Sequence, residues 1–266
     1  WYDLDKTPEW VFQKLNAVYL GTITMMDELL GRVMRTLEET GLAENTTILM
    51  FSDHGEWAGD YGLVEKWSAG LDDCLTRVPF VIRTPGGKAG HVVNEPVEVF
   101  DQMATILDLA GVEAPQTHFA RSLVPQLQGE PGDPDRAAFA EGGHGFHEPH
   151  TLESAKGVPD ERSIYYKKIS LQEREPETNP RSVMCRTGKH KLTLRPETGE
   201  HELYDLEKDP QELKNVYADS AYTDAREAMR GRILDWYVRT ADVTPFDTDP
   251  RSMPPRSVSW SRMPNY

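Results

Sequence analysis

The chain has 266 residues and carries 29 basic against 44 acidic side chains, a formal net charge of −15. This balance argues against a general nucleic-acid or anionic-membrane binder, because either would need a basic face to neutralise phosphates. No stretch of the sequence approaches the roughly 18 consecutive apolar residues that a membrane-spanning helix requires. The length allows one large domain or two smaller ones, at about 100–200 residues each.

The first 51 residues predict a long helix followed by a buried strand. Thr7-Pro8-Glu9 is a good helix start, and Gly41 is a typical helix stop. Between them, apolar residues recur at steps of three and four and predict one continuous apolar stripe, formed by Val11, Leu15, Val18, Met26, Leu29, Val33 and Leu37. Residues 45–51 are β-branched and apolar, as in a strand covered on both faces of a parallel sheet.

The middle of the chain continues this α/β pattern. A second strand is predicted from Val78 to Arg83 and a second helix from Glu98 to Gly111. Residues 112–160 contain many Pro, Gly and His and are predicted to be mostly loop. The order helix, strand, strand, helix suits one edge of a mixed sheet with helices packed on it.

The rest of the chain predicts a small antiparallel lobe. Short strand-like runs, the last three bounded by turn residues, occur at 164–171, 181–186, 190–195 and 202–206. An amphipathic helix from Ala225 to Trp236 can cover one face of the sheet. The chain is therefore expected to divide into an α/β part at 1–160, an antiparallel lobe at 161–242 and an extended Pro-rich tail at 243–266.

Asp53 and His54 are the first candidates for chemistry. They follow a predicted buried strand directly, where α/β folds place their ligands, and Gly55 allows the chain to turn sharply. A carboxylate and an imidazole at such a strand end can converge on one metal ion. The competing interpretation is an Asp that caps the next turn beside an ordinary histidine.

Lys66 is the second candidate. It lies in a Gly-rich loop shortly after the strand end, and an ammonium group there could bind an anionic substrate and stabilise charge on a leaving oxygen. The competing interpretation is a solvated lysine paired with Glu65 or Asp60.

A histidine-rich segment at 141–150 is the third candidate. His144, His147 and His150 have three-residue spacing, but without cysteines and amid glycines a zinc site is disfavoured. A substrate-facing loop, with His144 and His147 as the contacting residues, is preferred over zinc, and a plain surface loop stays open. Cys74 and Cys185 are expected to be two separate thiols, with a single disulfide as the alternative.

Several separated segments resemble, in the right order, motifs of the C-terminal half of type I sulfatases in the alkaline-phosphatase-like superfamily. The segments lie at 19–33, 46–56, 59–66, 77–86, 101–111 and 202–215. Ser52-Asp53-His54-Gly55-Glu56 resembles the metal-binding S-D-H-G-E turn of that family. Residues 59–66 resemble its G-D-H-G-L-x-x-K loop, with Tyr61 where His is common. The fold implied is part of a mostly parallel or mixed sheet flanked by helices, plus a four-stranded antiparallel C-terminal lobe with a helix.

The resemblance assigns roles to the first two candidates. It implies that Asp53 and His54 are two ligands of a divalent cation, most often Ca²⁺ in this family, with Mn²⁺ or Zn²⁺ left open by the imidazole. It also implies that Lys66 contacts the sulfate and the bridging oxygen. The expected activity is hydrolysis of a sulfuric ester.

The chain departs from the sulfatase pattern at the nucleophile. The family uses a formylglycine made from Cys or Ser in a C/S-x-P/A-x-R motif, and neither Cys74-Leu75-Thr76-Arg77 nor Cys185-Arg186-Thr187-Gly188 fits. Formylglycine and two further metal carboxylates are therefore expected in an N-terminal half outside this chain. Without that half, this chain is expected to be inactive.

Other functions and partners follow from the same pattern. A phosphonate monoester or phosphodiester hydrolase of the same superfamily is the alternative activity, and a non-catalytic binding or assembly module is the alternative class. The expected partners are a sulfate-ester substrate, the N-terminal half of the same enzyme and, through the tail at 243–266, a second copy of the chain.

Overall fold

The computed structural model of the chain describes residues 6–148, 153–163 and 165–244. It contains both helices and strands throughout its length. In chain order the elements are α1 (Glu9–Glu39), β1 (Ile48–Phe51), α2 (Asp73–Thr76), β2 (Phe80–Arg83), α3 (Asp101–Ala110), α4 (Val124–Leu127), β3 (Ala138–Gly142), α5 (Tyr166–Arg174), β4 (Ser182–Arg186), β5 (His190–Leu194), β6 (Glu202–Asp205) and α6 (Thr223–Thr240). None of the described helices is long and apolar enough to cross a membrane.

The first sheet consists of β1 and β2, which pair antiparallel with Ile48 opposite Arg83 and Phe51 opposite Phe80. Both strands are therefore where the sequence predicts them. The expectation that β1 is covered on both faces is wrong for the described chain, because Met50 and Phe51 are exposed. The described part of the chain supplies only one neighbouring strand and too few helices to cover these side chains.

Helix α1 is confirmed, but the packing expected of its apolar stripe is only partly present. Val11, Leu15 and Leu37 are half-buried near the two ends, whereas Leu29 and Val33 in the same stripe are exposed. None of its 31 residues is fully buried. At about 1.5 Å per residue the helix is ~46 Å long, so the rest of the described chain contacts it mainly near its ends.

The second sheet is antiparallel, in the order β3-β4-β5-β6. Its core is the tightest in the described chain: Cys185, Leu192 and Leu203 have no exposed surface. Met229 and Ile233 of α6 pack on this face, so the amphipathic helix covers the sheet as the sequence predicts.

The strand predicted at 164–171 is wrong, because residues 166–171 belong to helix α5. Lys168, Leu171 and Gln172 are among its buried side chains, and their spacing of three and four residues is helical. The fourth strand of the sheet is instead β3, in a segment predicted to be loop. Phe139 of β3 stacks on Trp236 of α6, with ring centroids 4.9 Å apart, which holds this strand on the sheet.

Strand β3 lies before residue 160 but pairs with the downstream lobe. The division into domains at residue 160 stays a prediction. The four-stranded sheet predicted within residues 161–242 contains one strand, β3, from the part of the chain before residue 160. Residues 245–266, most of the predicted tail, lie outside the described residues.

Buried ion pairs join α3 to the start of β3. The guanidinium of Arg136 lies 2.6 Å from Asp101 Oδ2 and 3.3 Å from Glu98 Oε2. Glu98 also accepts a hydrogen bond of 3.0 Å from the backbone N–H of Phe139. The second sheet is therefore attached to the upstream part of the chain by charged contacts that are shielded from water.

The packing of the lobe core predicts that shortening two leucines on neighbouring segments has very different effects on the free energy of unfolding. Replacing the fully buried Leu203 with Ala removes side-chain contacts and leaves a cavity, at an expected cost of about 2–5 kcal/mol in the free energy of unfolding. Leu213→Ala is the matched control, since Leu213 is 70% exposed; its expected cost is below about 0.5 kcal/mol. Urea denaturation of the two variants measures both values, and equal costs would contradict the described core.

Candidate functional site

Asp53 and His54 lie just beyond the last residue of β1. Because the strand has ended, the two neighbouring side chains are free to point the same way, and Asp53 Oδ2 lies 3.7 Å from His54 Nε2. The other carboxylate oxygen of Asp53 accepts a 2.9 Å hydrogen bond from the backbone N–H of His54. Ser52 Oγ donates to the carbonyl of His54 at 2.8 Å, which closes the turn. The structure thus brings the two predicted metal ligands together.

Asp53 is held in its charged form. The hydrogen bond from the His54 backbone, the His54 side chain and, more weakly, the charge of Lys66 lower the pKa of Asp53 below its ordinary value. Its carboxylate is 84% exposed. An ionised and accessible carboxylate is what a hard cation requires of a ligand.

Gly55 fixes this turn against α2. Its N–H donates to the carbonyl of Leu75 at 2.7 Å, and the N–H of Glu56 donates to the carbonyl of Cys74 at 3.1 Å. A Cβ atom at residue 55 would lie 1.9 Å from the Cys74 carbonyl oxygen, so no residue other than glycine fits. The glycine of the motif therefore permits close contact between two backbones.

A buried charge network holds α2 in place. Lys191 of β5 is 1% exposed, and its Nζ lies 3.2 Å from Asp73 Oδ1 and 2.7 Å from Glu212 Oε1. Glu212 accepts a hydrogen bond from the backbone N–H of Asp73, and Arg186 of β4 pairs with the same aspartate at 3.0 Å. We name Lys191, Asp73, Glu212 and Arg186 the anchor network.

The anchor network keeps Asp73 ionised. Burial alone would raise the pKa of Asp73, but the hydrogen bond from Arg186 and the charge of Lys191 bring it below the ordinary value. Burial raises the pKa of Glu212, against the opposing charge of Lys191. Sequence reasoning missed this network, because a lysine in a strand next to a turn is typical of an exposed edge position.

Lys66 lies in the loop that follows the turn, and its side chain is exposed. The competing interpretation, in which Lys66 pairs with Glu65 or Asp60, is wrong, because Lys66 forms an ion pair with neither residue. Glu65 is engaged by the buried Lys168 of α5, whose Nζ is 3.4 Å from Glu65 Oε1. Among the described residues no ion pair to Lys66 forms, and its charge lies near enough to Asp53 to lower the pKa of that carboxylate.

The loop between the turn and Lys66 has an unusual backbone. Ala58, Tyr61 and Glu65 all have positive φ, at 50°, 55° and 67°. Such conformations cost about 1–3 kcal/mol each for non-glycine residues and persist only where surrounding contacts enforce them. One of those contacts is the hydroxyl of Tyr61, which donates to the carbonyl of Gln211 at 2.8 Å. This hydrogen bond holds the loop against the segment that also contains Glu212.

His144 and His147 have different surroundings. His144 is half-buried, its backbone N–H donates to the carbonyl of Asn179 at 3.0 Å, and it lines a cavity of about 260 Å³. His147 is exposed and is not among the residues that line this cavity. His150 lies outside the described residues.

Two donors alone do not complete a metal site. Asp53 and His54 suit one cation, because an ion about 2.3–2.6 Å from each donor can span their 3.7 Å separation. Calcium takes about six to eight oxygen ligands, however, and even zinc takes about four ligands. Across the described ranges no group of three or more His, Cys, Asp or Glu side chains is arranged to hold a metal. If Asp53 and His54 are ligands, they supply only part of a coordination sphere.

Comparison with known proteins gives the family of this chain. The Sulfatase family model matches residues 4–112, and the model described as N-sulphoglucosamine sulphohydrolase, C-terminal, matches residues 59–179 and 163–238. The chain belongs to the sulfatase family.

Relatives and solved structures agree with this family. The multifunctional alkaline phosphatase superfamily protein PehA of Trinickia caryophylli is 30% identical over 92% of this chain and 45% of its own length. An arylsulfatase of Clostridium perfringens is 30% identical over 82% of the chain and 39% of its own length. The crystal structure of a phosphonate monoester hydrolase of Agrobacterium radiobacter superposes with a TM-score of 0.66 and 30% identity, covering 84% of this chain and 41% of that one.

This chain spans less than half the length of these relatives. The anchor network nevertheless lies entirely within it, so its contribution to folding can be tested on the chain as it stands.

Removing the buried ammonium group of Lys191 should destabilise the chain strongly. Lys191→Met leaves the carboxylates of Asp73 and Glu212 buried with only Arg186 to offset them, and we expect a loss of about 3–5 kcal/mol in the free energy of unfolding. Lys189→Met is the control, because Lys189 is exposed and lies only two residues away. Chemical denaturation compares the two, and a Lys191→Met cost no larger than the control would contradict the network.

Proposed function

We propose that the chain forms one side of the active site of a sulfuric-ester hydrolase. The observation that carries the proposal is the turn in which Asp53 Oδ2 and His54 Nε2 lie 3.7 Å apart. Lys66, which forms no ion pair with the described residues, lies close enough for its charge to lower the pKa of the Asp53 carboxylate. Membership of the sulfatase family and the arylsulfatase among its relatives support this activity over others.

In this proposal Asp53 and His54 are two ligands of a divalent cation. Calcium fits the exposed carboxylate, while the imidazole keeps manganese and zinc as alternatives. The bound ion would supply positive charge that stabilises the negative charge developing on the transferred sulfuryl group. Ser52 and Gly55 support the ligands by holding the turn closed and against α2.

Lys66 is proposed to bind the sulfate and the bridging oxygen. Its ammonium group is available for this role because Lys168 occupies Glu65, the acid next to it in the chain. A cation placed where charge accumulates on the leaving oxygen lowers the barrier without needing to change its own protonation. The strained loop fixes where the Lys66 backbone lies before substrate arrives.

The nucleophile is proposed to come from outside this chain. Both cysteines are free thiols, and burial raises the pKa of each to about 12, so neither is a thiolate near neutral pH. Neither is followed by the residues of a formylglycine motif. We infer that formylglycine and the remaining metal ligands belong to the part of the fold that relatives have beyond this chain.

Exposed apolar side chains on α1, β1 and β2 support the proposal that another segment of the fold packs on them. Leu29 and Val33 of α1, Phe51 of β1 and Val81 of β2 are all more than 40% exposed, an arrangement that costs solubility unless another segment covers it. We propose that the N-terminal part of a sulfatase fold packs there and carries its own ligands to Asp53 and His54.

A phosphonate monoester hydrolase is the second candidate. The structure from Agrobacterium radiobacter, at 30% identity and a TM-score of 0.66, favours it specifically. Phosphonate monoesters and sulfate monoesters are both tetrahedral monoanions near neutral pH, so the same cation and lysine could serve either. Parallel assays with 4-nitrophenyl sulfate and 4-nitrophenyl phenylphosphonate distinguish the two.

Asp53→Asn tests the metal assignment in the protein expressed from its complete reading frame. The amide loses the negative charge, so bound metal measured by elemental analysis should fall, and kcat/KM for 4-nitrophenyl sulfate should fall more than about 100-fold. Asp235→Asn makes the same change at an exposed position of α6 and should leave both values unchanged. Full metal content and turnover in Asp53→Asn would exclude Asp53 as a ligand.

Lys66→Met tests the charge-stabilising role separately. The side chain keeps its approximate length but loses the ammonium group, so we expect kcat/KM to fall by about 100- to 1,000-fold while metal content stays constant. Lys189→Met serves as the exposed control. A variant that loses metal and activity together, or keeps its activity, would argue against this role.

A further inference from the structure

Lys168 of α5 is a buried cation that lies next to the loop of Lys66. Its side chain is 5% exposed, and its Nζ lies 3.4 Å from Glu65 Oε1 and 3.2 Å from Glu153 Oε1. A lysine is seldom this deeply buried, because taking an ammonium group out of water carries a large desolvation cost. Two carboxylates offset that cost here.

The two carboxylates do not themselves require a buried partner. The side chains of Glu65 and Glu153 are 36% and 43% exposed, so water can solvate each of them without Lys168. Lys191 differs in this respect, because it meets Glu212, whose side chain is 1% exposed. Replacing a buried lysine with an apolar side chain of similar length, where the acids can turn to solvent, is therefore compatible with folding.

Lys168 contacts both residues that flank Lys66 in the chain. It pairs with Glu65 on one side, and on the other its Nζ lies 5.8 Å from the centre of the Trp67 ring, within the range of a cation–π interaction. The indole N–H of Trp67 donates to the carbonyl of Thr178 at 2.7 Å, which fixes the ring. One buried ammonium group thus holds the chain on both sides of the exposed Lys66.

The contact with Lys168 also directs the Glu65 carboxylate. Glu65 has a φ of 67°, a conformation that a non-glycine residue keeps only where surrounding contacts enforce it. Its carbonyl accepts a 3.3 Å hydrogen bond from the backbone N–H of Trp57, and its carboxylate pairs with a cation inside the protein. These contacts draw the acid toward the interior, while the neighbouring Lys66 stays exposed.

We propose that Lys168 is a positioning residue of the active site, which holds the Glu65 carboxylate and so keeps Lys66 free for the transferred anionic group. Consecutive Cα atoms are about 3.8 Å apart, so a released Glu65 carboxylate lies within reach of the Lys66 ammonium. An ion pair between them competes with an anionic substrate. This inference rests on the proposed function, because it takes Lys66 as the residue that binds the substrate.

Lys168→Met tests the positioning role in the protein expressed from its complete reading frame. With Glu65 released, kcat/KM for 4-nitrophenyl sulfate should fall about three- to tenfold. The change should lie in KM, because saturating substrate displaces Glu65 from Lys66 and leaves kcat nearly constant. Adding Glu65→Gln should restore the wild-type KM, since a neutral amide does not compete for the ammonium group. Lys167→Met, at the exposed neighbouring position, is the matched control and should change neither constant.

Restoration by the second substitution distinguishes positioning from simple packing. If Lys168 only packs the loop, removing its partner as well cannot repair the contact, and the double variant would be no more active than Lys168→Met. That result, a fall in kcat at constant KM, or wild-type constants in Lys168→Met would each overturn the positioning role. The proposed function would still stand wherever the wild type turns over the ester and Lys66→Met does not.

Two substitutions at residue 65 cover the case in which Lys168→Met fails to fold. Glu65→Asp keeps the charge and tolerates a positive φ, but its shorter side chain loses the contact with Lys168. Glu65→Gln removes the charge and leaves Glu153 to pair with the buried cation. We expect KM to rise about three- to tenfold in the aspartate variant and to stay at the wild-type value in the glutamine variant.

Equal KM values for the two residue-65 variants would overturn the positioning role, because they would show that the charge next to Lys66 has no effect on substrate. A wild-type protein that turns over neither 4-nitrophenyl sulfate nor 4-nitrophenyl phenylphosphonate would overturn the proposed function, and this inference with it. The two failures are therefore distinguished by the activity of the wild type.

Discussion

The contact between the backbone of Gly55-Glu56 and the carbonyls of Cys74 and Leu75 is the constraint on which the candidate site depends. It places Asp53 and His54, the two proposed metal ligands, against a short helix, whereas on its own this turn would be mobile and exposed. That helix is fixed in turn by the anchor network, whose central cation comes from the antiparallel lobe. The lobe is therefore a support for the residues proposed to carry the chemistry, as well as a small folded unit with its own core.

The buried Lys168 sets the distribution of charge around Lys66. The buried Lys168 lies within ion-pair distance of Glu65 and of Glu153, and its Nζ lies 5.8 Å from the centre of the Trp67 ring. Acids near the loop are thus neutralised from inside the protein, which leaves the exposed Lys66 for an incoming anion. In a chain with a net charge of −15, a lysine that forms no ion pair with the described residues, next to the proposed ligand turn, is a local exception that favours one small anionic group.

The sequence could predict the features that depend on local pattern. The strand end that presents Asp53 and His54, the helix at Glu9–Glu39 and the three final strands all follow from hydrophobic period and turn residues. It could not predict contacts made across the chain. Lys191 is buried only because two distant acids meet it, and β3 forms only because β4 offers an edge and Trp236 a surface for Phe139. Segment 164–171 contains residues that suit a strand, and tertiary contacts at Lys168 and Leu171 decide for a helix.

The most direct test of the account is a crystal structure of the protein from its complete reading frame, grown with the metal that co-purifies and measured at that metal's absorption edge. We predict one anomalous peak within about 2.6 Å of both the Asp53 carboxylate and the His54 imidazole, with Lys66 Nζ directed to the same pocket. An ion bound elsewhere, or Asp53 and His54 in contact with solvent alone while the metal is fully occupied, would contradict it.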